Sequence, residues 1–296
     1  MIKITFLGTG GSTPTKGRGL PSMALEYGGS VYLFDCGEGT QRQAMQYGVN
    51  IARIKAIFLS HAHGDHILGV AGLVRTLALN KRQAPLYIFI PEGEEEHVNV
   101  LLTFDRALIG YPIIVKGIRA GIVYKEDNFT VSSFRVKHNV PTVGFVFKEN
   151  DRIRFIKDKC KALGIRGEMF KELAKKGSMA IKGKRVALKQ VTYEVPGKSV
   201  VYATDTRPTA NTINAARNAD VLVHETSFSG EHGDLARERF HSTSVEAAEI
   251  AKKARCKALV LFHMSARYKE PKLLEQEAKK VFKNTSMASD GMVITL

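Results

Sequence analysis

Short runs of β-branched and aromatic residues recur along the chain, and four of them end on a residue able to bind a metal ion. Lys55–Ser60 runs into His61, Val131–Lys137 into His138, Ser199–Thr204 into Asp205, and Ala258–Phe262 into His263. All four predict strands. The continuous runs suit strands buried on both faces, and the alternating Val131–Lys137 suits a half-exposed one. Sheet enzymes place chemistry at such strand ends, where loops converge on a rigid frame. Helical spacing lies between the strands. Ile67–Asn80 is apolar on nearly every side, which predicts a largely buried helix. Thr243-Ser244-Val245-Glu246 is a capping box that opens a helix reaching about Ala254. Lys272–Lys283 gathers Leu273, Leu274, Ala278, Val281 and Phe282 on one helical face. Strand runs cluster before residue 150 and resume after 185, with helices interleaved. This order predicts two packed sheets covered by helices rather than a barrel or a doubly wound sheet.

Composition sets the class. The 296 residues are 44% hydrophobic and 25% charged, ordinary for a globular protein with a sizeable core. No apolar run reaches the roughly 18 residues of a membrane span. Met1–Phe6 reads as an opening strand and not as a signal peptide, so a cytoplasmic protein without a membrane partner is expected. Cys36, Cys160 and Cys256 form no C-x-x-C pair and are expected as buried small apolar residues.

Charge narrows the partner. The net charge of +15, with a pI near 9.7, favours an anionic partner, either a polyphosphate chain or a membrane surface. Its distribution is uneven: fourteen Lys or Arg against five Asp or Glu fall between Lys148 and Lys189. Met169, Phe170 and Leu173 predict a short helix there, ended by Gly177, while Gly164, Gly167 and Gly183 mark turns. Such a segment is either a solvated surface insertion or an arm that grips phosphates.

The densest chemistry is His61-Ala62-His63-Gly64-Asp65-His66. Three imidazoles and a carboxylate this close together are costly to pack unless a cation binds them, and they are the usual nitrogen and oxygen ligands of zinc. Gly64 is expected to supply a sharp backbone turn that aims neighbouring side chains at two ions. One loop cannot enclose two metals, so His138, Asp205 and His263 are the candidate remaining ligands. Near the N-terminus, Gly8-Thr9-Gly10-Gly11-Ser12-Thr13-Pro14 lacks the third glycine of a dinucleotide fingerprint.

H-x-H-x-D-H after a strand, followed by a distant His, Asp and His, resembles the metallo-β-lactamase superfamily. Four further elements resemble the ribonuclease Z family within it: Phe34-Asp35-Cys36-Gly37-Glu38-Gly39-Thr40-Gln41, Thr204-Asp205-Thr206-Arg207-Pro208, His224-Glu225-Thr226-Ser227-Phe228 and His241-Ser242-Thr243. The resemblance spans essentially the whole chain. It implies an α/β (α+β) fold, a four-layer αββα sandwich forming a single domain over residues 1–296, with a protruding basic arm at about 150–187.

The resemblance also implies two Zn2+ per subunit. One would be held by His61, His63 and His138, the other by Asp65, His66 and His263, with Asp205 bridging. Manganese or iron suit the same ligands. The implied activity is removal of the 3′ trailer from precursor tRNA, leaving a 3′-hydroxyl on the tRNA and a 5′-phosphate on the trailer. Asp65 would accept a proton and orient the nucleophile. His241 would donate a proton to the leaving oxygen, its plainer role being to precede the Thr243 helix cap. Asp35 and Glu225 would orient ligands from behind, or simply hydrogen-bond in the core. Pro14-Thr15-Lys16-Gly17-Arg18-Gly19 partly matches a P-x-K-x-R-N element of tRNA processing, with Gly19 in place of Asn, which makes Lys16 and Arg18 candidate RNA contacts. Lys157, Lys159, Lys161, Arg166, Lys171, Lys175 and Lys176 would form the arm that clasps the tRNA, and a homodimer is implied as well. The rivals are a small-molecule hydrolase of the same superfamily, which needs no basic arm, and a non-catalytic RNA-binding relative, which would be expected to have lost ligands.

Overall fold

The computed structural model describes residues 1–103, 109–181 and 183–296. These form two compact units, one of residues 1–147 and 199–296, the other of Lys148–Lys198. Among the described residues no helix is long and apolar enough to cross a membrane.

The larger unit holds two seven-stranded sheets. The strands are β1 (Lys3–Gly8), β2 (Ser22–Tyr27), β3 (Ser30–Phe34), β4 (Ile54–Phe58), β5 (Leu86–Pro91), β6 (Ile113–Ile118), β7 (Gly121–Glu126), β8 (Phe129–Arg135), β9 (Val143–Glu149), β10 (Ser199–Ala203), β11 (Val221–Glu225), β12 (Leu259–Phe262), β13 (Thr285–Met287) and β14 (Val293–Thr295). The first sheet runs β14-β1-β2-β3-β4-β5-β6 and the second β13-β12-β11-β10-β9-β8-β7. β3 to β6 are parallel, as are β10 to β13, so each sheet aims a row of strand C-termini the same way.

Period-two alternation builds the layers. Phe6, Phe34, Phe58 and Phe89 of the first sheet meet Phe145, Val200, Tyr202 and Phe262 of the second in a shared core. Aromatic contacts tie it together: Phe58 stacks on Phe89 at 5.1 Å between centroids, and Phe34 meets Phe145 edge-on at 5.8 Å. Leu33, Ile57 and Ile88 point to the opposite face and pack under the Thr40–Gln46 and Gly69–Leu79 helices. Likewise Val201, Leu222 and Leu261 lie under the Ser244–Ala254 and Lys272–Val281 helices. The result is the αββα sandwich.

Local expectations are met to different degrees. The Thr243 capping box forms, with Thr243 Oγ1 accepting from Glu246 N and Glu246 Oε2 from Thr243 N, and its helix ends at Ala254. All three cysteines are buried and free. Ile67–Asn80 is not buried all round. Its helix lies in an outer layer and buries Val70, Leu73, Val74 and Leu77, leaving Leu68 and Leu79 in water. The Lys272 helix stops at Val281, and Leu273 faces solvent.

The smaller unit has its own core of Cys160, Ile165, Leu173, Ile181, Val186 and Val191. It contains the helices Lys157–Leu163 and Met169–Lys176, the second ended by Gly177 in the left-handed region at φ 71°. The strand pair Arg152–Phe155 and Thr192–Val195, with Gly197 N donating to Asp151, extends it beyond the Lys148–Lys189 segment marked by charge and the 150–187 arm that the resemblance implies.

Candidate metal centre

Five of the site residues leave the sandwich at strand ends. Asp35 follows β3, His61 follows β4, Asp205 follows β10, Glu225 ends β11 and His263 follows β12. Asp35, Asp205 and His263 have φ of 57°, 47° and 57°, left-handed conformations unusual for residues other than glycine. These bends turn the side chains off the strand line and towards one another.

Gly64 has no positive φ. The turn expected from it is instead one helical turn, Gly64–Ile67, entered from His63, with His66 N donating to His63 O at 3.0 Å. Helical spacing separates the two sets of side chains. Gly11 is required for close approach, because a Cβ there would lie 2.4 Å from the His263 ring.

Three groups of donor atoms gather at this end; one, Asp205, His241 and His263, shares members with the other two. Those two divide the expected ligands between them. His61, His63, His138 and Asp205 form one, and Asp65, His66 and His263 the other. In the first, His61 Nε2 lies 3.0 Å from His63 Nδ1, and His138 Nε2 lies 3.4 Å from the same atom. Asp205 Oδ2 is 3.7 Å from His61 Nε2 and 3.8 Å from His138 Nε2. The other oxygen, Oδ1, faces the second group, 3.4 Å from His66 Nε2 and 3.1 Å from His263 Nε2. Those two nitrogens are 3.3 Å apart, and Asp65 Oδ2 stands 3.5 and 3.6 Å from them. Tetrahedral ligands about 2.0–2.1 Å from zinc are about 3.3 Å from one another, so these separations are what a shared cation requires. Asp205 offers one oxygen to each group.

The far side of each imidazole decides which nitrogen faces inward. His66 Nδ1 donates to Asp35 Oδ2 at 2.8 Å. His61 Nδ1 donates to Ser60 Oγ at 2.9 Å, and Ser60 Oγ donates in turn to Asp35 Oδ2 at 3.0 Å. His263 Nδ1 donates to Ser227 Oγ at 3.0 Å, and His138 Nδ1 to Phe240 O at 3.3 Å. With the proton placed on Nδ1 by these partners, Nε2 presents its lone pair to the centre in four rings. The donor set therefore fits divalent metal ions.

Electrostatics agree. Burial and then the neighbouring His66 hold His61 well below the usual imidazole range. Burial opposes charge on His66, but Asp205, Asp35 and Asp65 outweigh it and raise the group well above that range. Asp65 and Asp205 stay well below ordinary carboxylates: burial works against them, and the surrounding imidazoles prevail. A pocket this anionic attracts either protons or a cation, and metal binding displaces the proton.

Beside the centre is a cavity of about 440 Å³ lined by Ser12, Asp65, His138, His241 and Arg267, among others. His241 Nδ1 donates to the buried Glu225 Oε1 at 2.8 Å. Burial disfavours its charged form, but Glu225 prevails and the imidazole is pushed up to about 9. Glu225 also accepts from Thr206 N and Ser227 N, so it anchors three loops at once.

Residues 18–146 match the metallo-beta-lactamase superfamily. The chain is 42% identical to the ribonuclease Z of Archaeoglobus fulgidus, the match covering 99% of this chain and 97% of that protein. It is 37% identical to the ribonuclease Z of Methanothermobacter thermautotrophicus, over 99% and 96%. This chain belongs to the ribonuclease Z family. The crystal structure of human tRNase Z, short form, shares its fold with a TM-score of 0.74 and 26% identity, covering 99% of this chain and 98% of that one.

The ribonuclease Z motifs take unequal parts. Sequence reasoning passed over Ser60, Tyr202 and Ser227, which orient ligands from behind. Ser60 stands beside the His61–His66 cluster, Ser227 lies within the His224–Phe228 element, and Tyr202 has the alternation of an inward strand position. Arg207 of the Thr204–Pro208 element donates to His241 O and pairs through both terminal nitrogens with Glu246, fastening the His241 loop to its helix. Arg18, a candidate RNA contact, is half-buried and spends its donors inside the protein, on Thr9 Oγ1 and Ala288 O. Lys16 is exposed. In the smaller unit Lys157, Lys159, Lys161, Arg166, Lys171, Lys175 and Lys176 are all exposed, with Lys171 and Lys176 paired to Glu168 and Glu172.

Proposed function

We propose that this member of the ribonuclease Z family is a metal-dependent endoribonuclease that removes the 3′ trailer from precursor tRNA. The observation that carries the reading is the inward convergence of imidazole nitrogens and carboxylate oxygens, with four imidazoles fixed from behind. Two zinc ions are the proposed complement, one in the His61, His63, His138 group and one in the Asp65, His66, His263 group, with Asp205 between them. When bound, such ions make water acidic enough to deprotonate near neutral pH and offset charge on phosphate oxygens.

The chain's own groups supply the rest. Asp65, kept ionised by His66 and His263 and held by a 2.7 Å hydrogen bond from Ser12 N, orients the attacking water and takes its proton. Glu225 holds the Nδ1 side of His241 and favours its protonated form. The imidazole Nε2–H donates to the departing O3′, so the P–O3′ bond breaks to leave a 3′-hydroxyl on the tRNA and a 5′-phosphate on the trailer. The exposed cations of the Lys148–Lys198 unit serve as the tRNA-binding arm, where phosphate contacts would dominate affinity. A homodimer and a cytoplasmic setting complete the reading on the strength of the family alone, and sedimentation tests the first.

The deciding experiment incubates purified protein with a 3′-extended tRNA transcript and maps both new ends, with and without a chelator. A single cut at the 3′ side with a 3′-hydroxyl end, abolished by the chelator, is expected. Hydrolysis of bis(p-nitrophenyl) phosphate without any cut in the tRNA would favour the small-molecule rival.

A further inference from the structure

The backbone leaving β11 runs beside the residues that follow His241. Phe228 N donates to Ser242 O at 3.3 Å, Ser244 N donates to Phe228 O at 2.9 Å, and Phe228 and Thr243 form a parallel bridge. Ser227 Oγ lies 3.2 Å from His241 Nδ1, and the Phe228 and His241 rings meet at 6.0 Å between centroids. His241 therefore takes its place from a narrow strip, with residues 227–229 along one side and 241–244 along the other. Drift of the first side carries the imidazole with it.

That first side is pinned by residues outside the ligand motifs. Ser229 is buried, and its N donates to Tyr268 OH at 2.8 Å. Ser229 Oγ, His232 Nδ1 and Tyr268 OH close a triangle with sides of 2.8, 3.0 and 3.1 Å. With the His232 proton on Nε2, Ser229 Oγ donates to Nδ1 and Tyr268 OH donates to Ser229 Oγ, so each group is used. One residue on, Gly230 N donates to Glu277 Oε2 at 2.9 Å, and Ser244 Oγ donates to the same oxygen, which ties both sides of the strip to one carboxylate. Tyr268 N donates to Ser265 O at 3.1 Å, rooting the triangle in the segment after His263.

Among the described residues, the wall of the 440 Å³ cavity includes Phe228 and His241 but not Ser229, His232 or Tyr268. The triangle therefore acts through the strip and not on a substrate. His263, which Ser227 orients, has separate support from β12 before it and from Met264 N donating to Thr9 O at 3.1 Å after it. His241 has no strand of its own. Loosening the triangle should displace His241 and leave the metal ligands in place. A ribose 3′-oxygen is a poor leaving group that needs a proton, while p-nitrophenolate departs without one, so displacing the acid separates these two substrates.

Building on the leaving-group protonation proposed for His241, we infer that Tyr268, with Ser229 and His232, is a positioning lock for that imidazole. The test uses the full-length, metal-loaded protein with Tyr268→Phe, which removes one hydroxyl and keeps the ring. Its kcat for a 3′-extended tRNA should fall by roughly tenfold or more, with KM within about twofold of the parent. Hydrolysis of bis(p-nitrophenyl) phosphate should stay within about twofold. Ser229→Ala should show the same selectivity. Tyr111→Phe controls for lost stability: its buried hydroxyl donates to Val74 O at 3.2 Å, far along the chain from the lock, so this variant should melt a few degrees low yet cut both substrates as the parent does. Equal losses on both substrates for Tyr268→Phe, or parent-like turnover of the tRNA, would overturn the lock. Parent-like tRNA turnover by His241→Ala would remove the acid role itself, and a parent protein that leaves the tRNA uncut would remove the proposed function.

Discussion

Replacing Asp35 by Asn changes almost no volume and one acceptor, yet it should weaken metal binding. Asp35 Oδ2 accepts three hydrogen bonds, from Ser60 Oγ at 3.0 Å, Tyr202 OH at 2.8 Å and His66 Nδ1 at 2.8 Å. The backbone N of Ser60 donates to Oδ1 at 2.7 Å, which keeps an asparagine oxygen on that side. The amide NH2 then faces three partners that were all donors. The two hydroxyls can rotate and accept, but His66 accepts only if its proton moves to Nε2, the atom facing Asp65, Asp205 and His263. One charge-assisted hydrogen bond, about 1.5–3 kcal/mol, is lost. Misplacing a ligand's outer partner costs about 10–100-fold in metal affinity, equivalent to about 1.4–2.7 kcal/mol. Competition with a chromophoric chelator at constant pH measures this directly. Tyr202→Phe is the control, because it removes one donor and keeps the carboxylate: stability should fall by about 1 kcal/mol, with metal affinity close to that of the parent. If Asp35→Asn bound every equivalent of metal as tightly as the parent, the account of how His66 is oriented would be wrong.

Asp65→Ala should abolish cleavage while a filter-binding assay still detects precursor tRNA, and parent-like turnover would remove Asp65 from the chemistry. Glu225→Gln should move the alkaline limb of the kcat/KM profile to lower pH. Glu225 raises His241 to about 9, so the protonated donor is lost as pH climbs through that value, and without the charge the loss begins nearer the ordinary value of about 6.5. An unmoved limb would exclude His241 as the titrating acid. Changing Lys157, Lys159, Lys161 and Lys175 together to Gln should reduce the slope of log affinity against log salt by about 3, measured by tRNA binding between 50 and 200 mM salt; an unchanged slope would mean the smaller unit does not touch phosphate.

The strand ends were readable in advance because burial on both faces demands continuous apolar runs, and His61, Asp205 and His263 each interrupt one. The clustered histidines were readable for a related reason, since polar density of that kind opposes packing. Residues defined by what they touch were harder to read. Ser60 and Ser227 are ordinary polar neighbours until the fold sets an imidazole against each. Arg18 and Lys16 are equally cationic on paper, and only the positions of Thr9 Oγ1 and of Ala288 O, 270 residues downstream, separate an internal brace from an exposed charge. The Ile67–Asn80 pattern misled because apolar residues tolerate water singly, so a ring of them does not guarantee a buried helix.

Asp35, Asp205 and His263 pass through a backbone region that costs on the order of 1–3 kcal/mol each outside glycine. The sheets enforce this penalty whether or not a cation is present, while only the loaded protein gains the compensating bonds. Thermal resistance and metal supply are thereby coupled: each tenfold rise in free metal above its dissociation constant adds about 1.4 kcal/mol to the folded state. Under metal starvation the sandwich would lose its margin against unfolding together with its activity.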